Sequence, residues 1–295
     1  MLAKRLSLGS TIGIFCPSHV ADMERYAHST AVLERLGFKI KFGANIQKDT
    51  YGYAASAEER AADLNALVAD DSVQMILFSG GNSAVEILPY IDYESIRRNP
   101  KLFNSYSDAT PILNAIYAQT GLVTYYGVGI HSFVDLRHYD YMQFCSHFVE
   151  GHSAVQFISD SQWRTLYGGS CEGILIGGYS SLFGLMIANK YFSYDAGKKY
   201  LLFLEDHEKY SKVGAVSTYL AYIGQSSFMH NVVGLIFGHY SANVPDDLYR
   251  CLERFGARHN IPVVYTDDFG HGTRHAILPV GLNAKLDADK QLLTF

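Results

Sequence analysis

The chain has 295 residues, 48% of them hydrophobic and 18% charged, with a formal net charge of -5 and a pI near 6.2. That balance supplies enough apolar side chain for a folded core and excludes a disordered chain, while basic residues come no more than two in a row, which argues against a nucleic acid polymer as partner. The length favours two domains of ordinary size. The apolar stretch at 11–16 is too short for a signal-peptide core and stops at Pro17, and no run is long enough to span a membrane, so a cytoplasmic protein without a membrane partner is expected. Cys16, Cys145, Cys171 and Cys251 lie far apart with no CxxC pair, which speaks against a zinc ribbon or a disulfide framework and fits a reducing compartment.

In chain order, Thr11–Phe15 reads as a strand, and Met23, Tyr26, Leu33 and Leu36 follow a helical face that ends at Gly37. A strand at 38–42 follows, then a helix opened by the Ser56/Glu59 capping box and running through Val68, then the nearly continuous apolar run Val73–Phe78. Further on, 102–106 reads as a strand, 109–119 as a helix and 122–126 as a strand. This βαβ alternation predicts a parallel sheet with helices on both faces. The stretch around 127–162 is rich in His, Ser and aromatics with poor periodicity and reads as a connection. Beyond it, apolar strands at 173–176, 200–204, 232–237 and 262–265 alternate with helical patterns at 181–188, 213–223 and 246–255, which predicts a second, mixed α/β domain. The expected division is a domain at 1–135, a connection at 136–168 and a domain at 169–295.

Ligands of open parallel sheets gather beyond the carboxyl ends of the strands, so the polar residues just after each apolar run carry the functional reading. Ser107 stands between a strand and a helix, where a sharp elbow would expose its hydroxyl and aim the Asp108 backbone N–H at a developing oxyanion. The same local sequence also reads as a simple helix cap. Glu205 and Asp206 end a strand; a carboxylate there either orients an imidazole or is solvated. His271 lies between Gly270 and Gly272, which permit close backbone approach. His271 and His275 are spaced i, i+4, but Gly272 and the lack of an HExxH motif argue against a metal site. Gly80-Gly81-Asn82-Ser83 offers backbone N–H groups to an oxyanion but has no P-loop tail.

Taken together, several segments resemble the serine LD-carboxypeptidase family, which includes the microcin C self-immunity proteins. They are Gly9-Ser10-Thr11-Ile12-Gly13-Ile14 with Pro17-Ser18, Gly80-Gly81-Asn82-Ser83, Leu88-Pro89-Tyr90-Ile91-Asp92-Tyr93, Asn99-Pro100-Lys101, Tyr106-Ser107-Asp108-Ala109-Thr110, Leu204-Glu205-Asp206 and Phe269-Gly270-His271. The resemblance implies Ser107 as nucleophile, Glu205 and His271 as the other triad members, and the N–H groups of Asp108 and Gly81 as the oxyanion hole. It implies a flavodoxin-like or class I amidotransferase-like N-terminal domain, a C-terminal mixed α/β domain with a β-sheet or barrel core, a homodimer, and no cofactor or metal. The implied substrate is a small carboxylate-bearing peptide or an aminoacyl-nucleotide conjugate, cleaved at an amide; removal of terminal D-Ala from a muropeptide and non-catalytic binding of a small ligand on the same scaffold are the alternatives. Lys209 resembles the basic residue that meets the substrate carboxylate, though a solvated lysine also fits, and Asn82, Tyr179 and Trp163 are the other candidates for substrate contact. Tyr179 stands where the family usually has Asn, Ser105 stands where it usually has Gly, and the 163–177 segment is short for the family.

Overall fold

The computed structural model describes residues 1–151 and 157–295. The chain divides into two compact units, Met1–His152 and Ser153–Phe295. The expected connection at 136–168 includes 152–156, which lie outside the described residues. Both units are mixed α/β, as expected, and no described helix is long and apolar enough to cross a membrane.

In the first unit, β1 (Thr11–Phe15), β2 (Lys39–Phe42), β3 (Val73–Phe78), β4 (Leu102–Ser105) and β5 (Thr124–Tyr126) lie in the order β5-β4-β3-β1-β2. All pair in parallel, with Ile14 opposite both Phe42 and Leu77. Parallel pairing explains the apolar runs: β1 and β3 are covered on both faces and leave little room for polar side chains. The helices α1 (Met23–Arg35), α2 (Ala57–Ala69), α3 (Tyr93–Arg98), α4 (Thr110–Thr120) and α5 (His138–Phe144) are started by recognisable chemistry. Asp22 and Asp92 cap α1 and α3, and the reciprocal Ser56/Glu59 box caps α2. A β-carbon on Gly13 would stand 2.9 Å from Leu67, so glycine there lets α2 lie close on β1. Because the strands run the same way, the segments following β1, β3 and β4 emerge at one edge of the sheet.

The second unit contains β6 (Arg164–Tyr167), β7 (Ser170–Tyr179), α6 (Ser180–Met186), β8 (Tyr200–Glu205), α7 (Val213–Gln225), β9 (Val232–His239), α8 (Asp246–His259), β10 (Val263–Gly270), β11 (Leu278–Val280), β12 (Asn283–Asp287) and β13 (Leu292–Thr294). Its sheet has the order β13-β12-β7-β8-β9-β10-β6, with the centre β7-β8-β9-β10 parallel and β6, β12 and β13 antiparallel. Leu201, Leu202, Phe203 and Leu204 of β8 have no solvent exposure, and each contributes roughly 1.5–3 kcal/mol by burial. At Gly177, φ is +149° and a β-carbon would collide with the Phe203 carbonyl oxygen at 1.7 Å. Only glycine lets β7 lie against β8 here, and that close pairing sets Tyr179 opposite Glu205 at the carboxyl ends of both strands.

Candidate active site

The first unit presents Ser107 on a strained turn. β4 ends at Ser105, Tyr106 stays extended, and Ser107 takes φ of +61° before the chain enters α4. A non-glycine residue in the left-handed region costs of order 1–3 kcal/mol and persists only when its surroundings hold it. Here the Ser107 N–H donates to the Tyr126 hydroxyl at 2.8 Å, and the Thr110 hydroxyl donates to the Ser107 carbonyl at 2.7 Å.

The neighbouring Asp108 is buried, and its side chain faces back toward the Gly-Gly loop, where it accepts the N–H groups of Ser83 and Ala84, each at 3.0 Å. Burial pushes its carboxyl above the usual range, against the nearby Ser18 hydroxyl and these bonds. The loop is therefore tied to the serine turn: a β-carbon on Gly80 would lie 3.4 Å from that of Ser107. A β-carbon on Gly81 would collide with the Ser18 hydroxyl at 1.9 Å, so close backbone approach demands glycine there. Asn82 is exposed at the tip. From behind, the buried Arg60 bonds the Pro17 carbonyl, the Ser83 hydroxyl at 3.2 Å and the Glu86 carboxylate.

The second unit presents an imidazole oriented by a buried carboxylate. His271 Nδ1 lies 2.9 Å from Glu205 Oε2, and the Glu205 side chain has 0% exposure. Gly270, with φ of +107°, brings the loop so close that a β-carbon would lie 3.0 Å from that same oxygen. On the other side of His271, a β-carbon on Gly272 would stand 2.8 Å from the ring of His239. His239 Nδ1 is in turn 2.7 Å from Asp267 Oδ1, which also accepts the Tyr265 hydroxyl at 2.8 Å. Two glycines thus let a carboxylate and a second imidazole–carboxylate pair grip the loop. Burial opposes an imidazolium at His271, but Glu205 and then Asp206 outweigh it, so its pKa is raised above the ordinary value.

Tyr179 and Tyr210 both meet the His271 ring edge-on, with centroids 5.3 and 5.7 Å away. Burial, then Asp206, push the Tyr179 phenol above its usual range. Asp206, itself buried, accepts the Ser180 hydroxyl and the His207 N–H. Lys209 is exposed, with its ammonium 5.5 Å from the centre of the Tyr210 ring.

Trp163 lies apart from this group. Its indole is buried and donates to Asp268 Oδ2 at 2.8 Å. Asp268 also accepts Ser159 Oγ, the Asp160 N–H and Thr266 Oγ1 within 2.9 Å, so its oxygens are occupied by donors. Among the described residues no group of three or more His, Cys, Asp or Glu is arranged to hold a metal ion.

Comparison with known proteins gives this geometry its context. The model of the LD-carboxypeptidase N-terminal domain matches residues 12–127, and that of the C-terminal domain matches 172–286. The chain belongs to the LD-carboxypeptidase family. Among its relatives, a Vibrio cholerae protein named as a carboxypeptidase is 30% identical, the match covering 98% of this chain and 96% of that protein. The microcin C7 self-immunity protein MccF of Escherichia coli is 27% identical over 99% of this chain and 94% of its own length. The crystal structure of an MccF-like protein from Bacillus anthracis superimposes with a TM-score of 0.91 at 25% identity, covering 100% of this chain and 99% of that one.

Against this LD-carboxypeptidase background the departures acquire physical reasons. Ser105, where the family usually has Gly, is buried and spends its hydroxyl on the Phe78 carbonyl at 2.8 Å, tying β4 to the end of β3. Tyr179 fills the space beside His271 with a ring. Of the residues around the predicted ones, Arg60, Tyr126, His207, His239 and Asp267 have no site role in the sequence reading. His239 could have been singled out, since it follows the apolar run of β9 as Glu205 follows that of β8. Arg60 carries no such signal, because it looks like any charged residue of a helix.

Proposed function

We propose that this LD-carboxypeptidase family member is a serine amidohydrolase that cleaves an amide bond of a small carboxylate-bearing peptide or aminoacyl-nucleotide conjugate. The observation that carries the reading is the His271–Glu205 pair: Glu205 fixes Nδ1 as the protonated nitrogen, which leaves Nε2 as a base. In this mechanism Nε2 takes the Ser107 proton as the hydroxyl oxygen attacks the substrate carbonyl. The backbone N–H groups of Gly81 and Asp108 stabilise the oxyanion, and His271 returns the proton to the leaving amine. Water, deprotonated by the same imidazole, then attacks the acyl carbon, and the imidazolium returns the proton to Ser107 Oγ as the acyl–oxygen bond breaks. Lys209 pairs with the substrate carboxylate, and Asn82 and Tyr179 shape the substrate's surroundings, whereas Trp163, buried with its indole N–H spent on Asp268, takes no part. The self-immunity relative is the support for the conjugate, and a Bacillus subtilis relative named as a murein peptide carboxypeptidase, 29% identical, is the support for the muropeptide alternative.

The test is hydrolysis by wild-type and Ser107→Ala protein of aspartyl sulfamoyl adenosine and of a muropeptide tetrapeptide ending in D-Ala. Cleavage of the conjugate, reduced by ~10⁴-fold or more in the variant, is expected. Release of D-Ala alone would place the protein among muropeptide carboxypeptidases. Full turnover by Ser107→Ala would overturn the mechanism.

A further inference from the structure

Two residues beyond Glu205 stands an imidazole with no part in the mechanism above. His207 is half-buried on the turn after β8, its ring centre 6.1 Å from that of His271, 5.9 Å from His239 and 5.8 Å from Tyr210. Of the carboxylates around these rings, Glu205 and Asp267 are bonded to His271 and His239, and Asp206 accepts the Ser180 hydroxyl and the His207 backbone N–H. The backbone N–H of Lys209 donates to His207 Nδ1 at 3.1 Å. A ring nitrogen that accepts a hydrogen bond carries a lone pair, so the proton of the ring resides on Nε2. Burial, then the neighbouring His271 and His239, hold the His207 pKa below the ordinary value, which keeps the ring neutral. The turn thus carries an N–H donor of fixed tautomer and, two residues on, the exposed ammonium of Lys209. Exposed Glu208 lies between them in sequence.

We propose that His207 is a specificity-determining residue, whose Nε2–H donates to the free carboxylate of the substrate beside Lys209. The inference rests on the hydrolytic reading above and narrows it: a neutral donor and a cation on one turn match an anionic oxygen pair better than an uncharged amide. A neutral imidazole also binds the carboxylate without adding a second positive charge beside His271, which must itself stay unprotonated to act as a base.

The test is calorimetric binding to the intact Ser107→Ala protein, using aspartyl sulfamoyl adenosine and its asparaginyl counterpart. The parent is expected to prefer the aspartyl compound by ~10-fold or more. His207→Phe should weaken aspartyl binding by ~10-fold while leaving asparaginyl binding within ~3-fold, and His207→Gln, whose amide N–H reaches a position similar to Nε2, should restore most of the loss. Equal binding of both compounds by the parent, equal weakening of both by His207→Phe, or no rescue by Gln would overturn the assignment. So would slower labelling of Ser107 by a serine-reactive probe in the otherwise wild-type His207→Phe enzyme, since His207 would then be supporting His271. Hydrolysis by the wild-type enzyme is scored separately. Discrimination without turnover would refute the hydrolytic reading and leave the carboxylate contact standing, and turnover without discrimination would do the reverse.

Discussion

Glu205 acts on His271 in two ways that a single substitution separates from steric effects. As an acceptor it fixes which nitrogen carries the proton, and as a buried negative charge it favours the imidazolium. In the proposed mechanism His271 must be neutral to accept the Ser107 proton, so kcat/KM should fall as pH drops through a pKa above the ordinary imidazole value of ~6.5. Glu205→Gln removes the charge that favours the protonated form. The acid limb should therefore move to lower pH while kcat falls by ~10²–10⁴-fold, a shift read from paired pH–rate profiles. An acid limb that stays in place would mean that Glu205 does not set the ionisation of His271. Tyr179 belongs to the same scale. Tyr179→Asn, which installs the residue usual in the family, should lower kcat by no more than ~10-fold if the ring contributes chiefly packing against His271, and steady-state kinetics will measure it.

At the scale of elements, the short loop after β10 works because neither Gly270 nor Gly272 has a side chain. Gly272→Ala would drive a methyl group into the His239 ring, and kcat should fall by ~10–100-fold through displacement of His271. His239→Ala clears that space, so the double variant should recover part of the loss. A double-mutant cycle that proves additive would remove His239 from this role. Much of the fold was legible in the sequence for one reason: parallel strands are apolar on both faces and end abruptly in polar residues, so β1, β3, β8 and β9 could be read from run boundaries, which also drew attention to Ser107, Glu205 and His271, while the roles expected of those three came from the family resemblance. The antiparallel margins could not. β6, β12 and β13 are short, and RTLY, NAKLD and LLT are only partly buried, leaving little periodicity to detect. The turn at Ala84–Tyr90 is a 3-10 helix containing Pro89, with neither a helical nor a strand period. The Arg60–Glu86 and His239–Asp267 contacts join residues 26 and 28 positions apart, and local pattern does not encode such pairings.

For the whole molecule, the residues of the proposed mechanism are divided along the chain: Ser107 and the Gly80-Gly81 loop lie in Met1–His152, whereas Glu205 and His271 lie in Ser153–Phe295. Covalent labelling of Ser107 by a serine-reactive probe should therefore be lost in His271→Ala, with circular dichroism unchanged. Labelling at the wild-type rate would mean that the serine is activated from within its own unit. Treatment with a chelator should leave turnover unaltered. One further consequence concerns how such proteins diversify. Tyr179, His207 and Lys209, proposed to meet the substrate, belong to the unit that also holds the proposed base and its carboxylate, whereas Asn82 belongs to the other, so sequence drift in the second unit can change most of what is accepted while the surroundings of Ser107 stay as they are. Chimeras of family members joined where the two units meet in sequence should accordingly inherit their substrate preference from the parent that donates the C-terminal half.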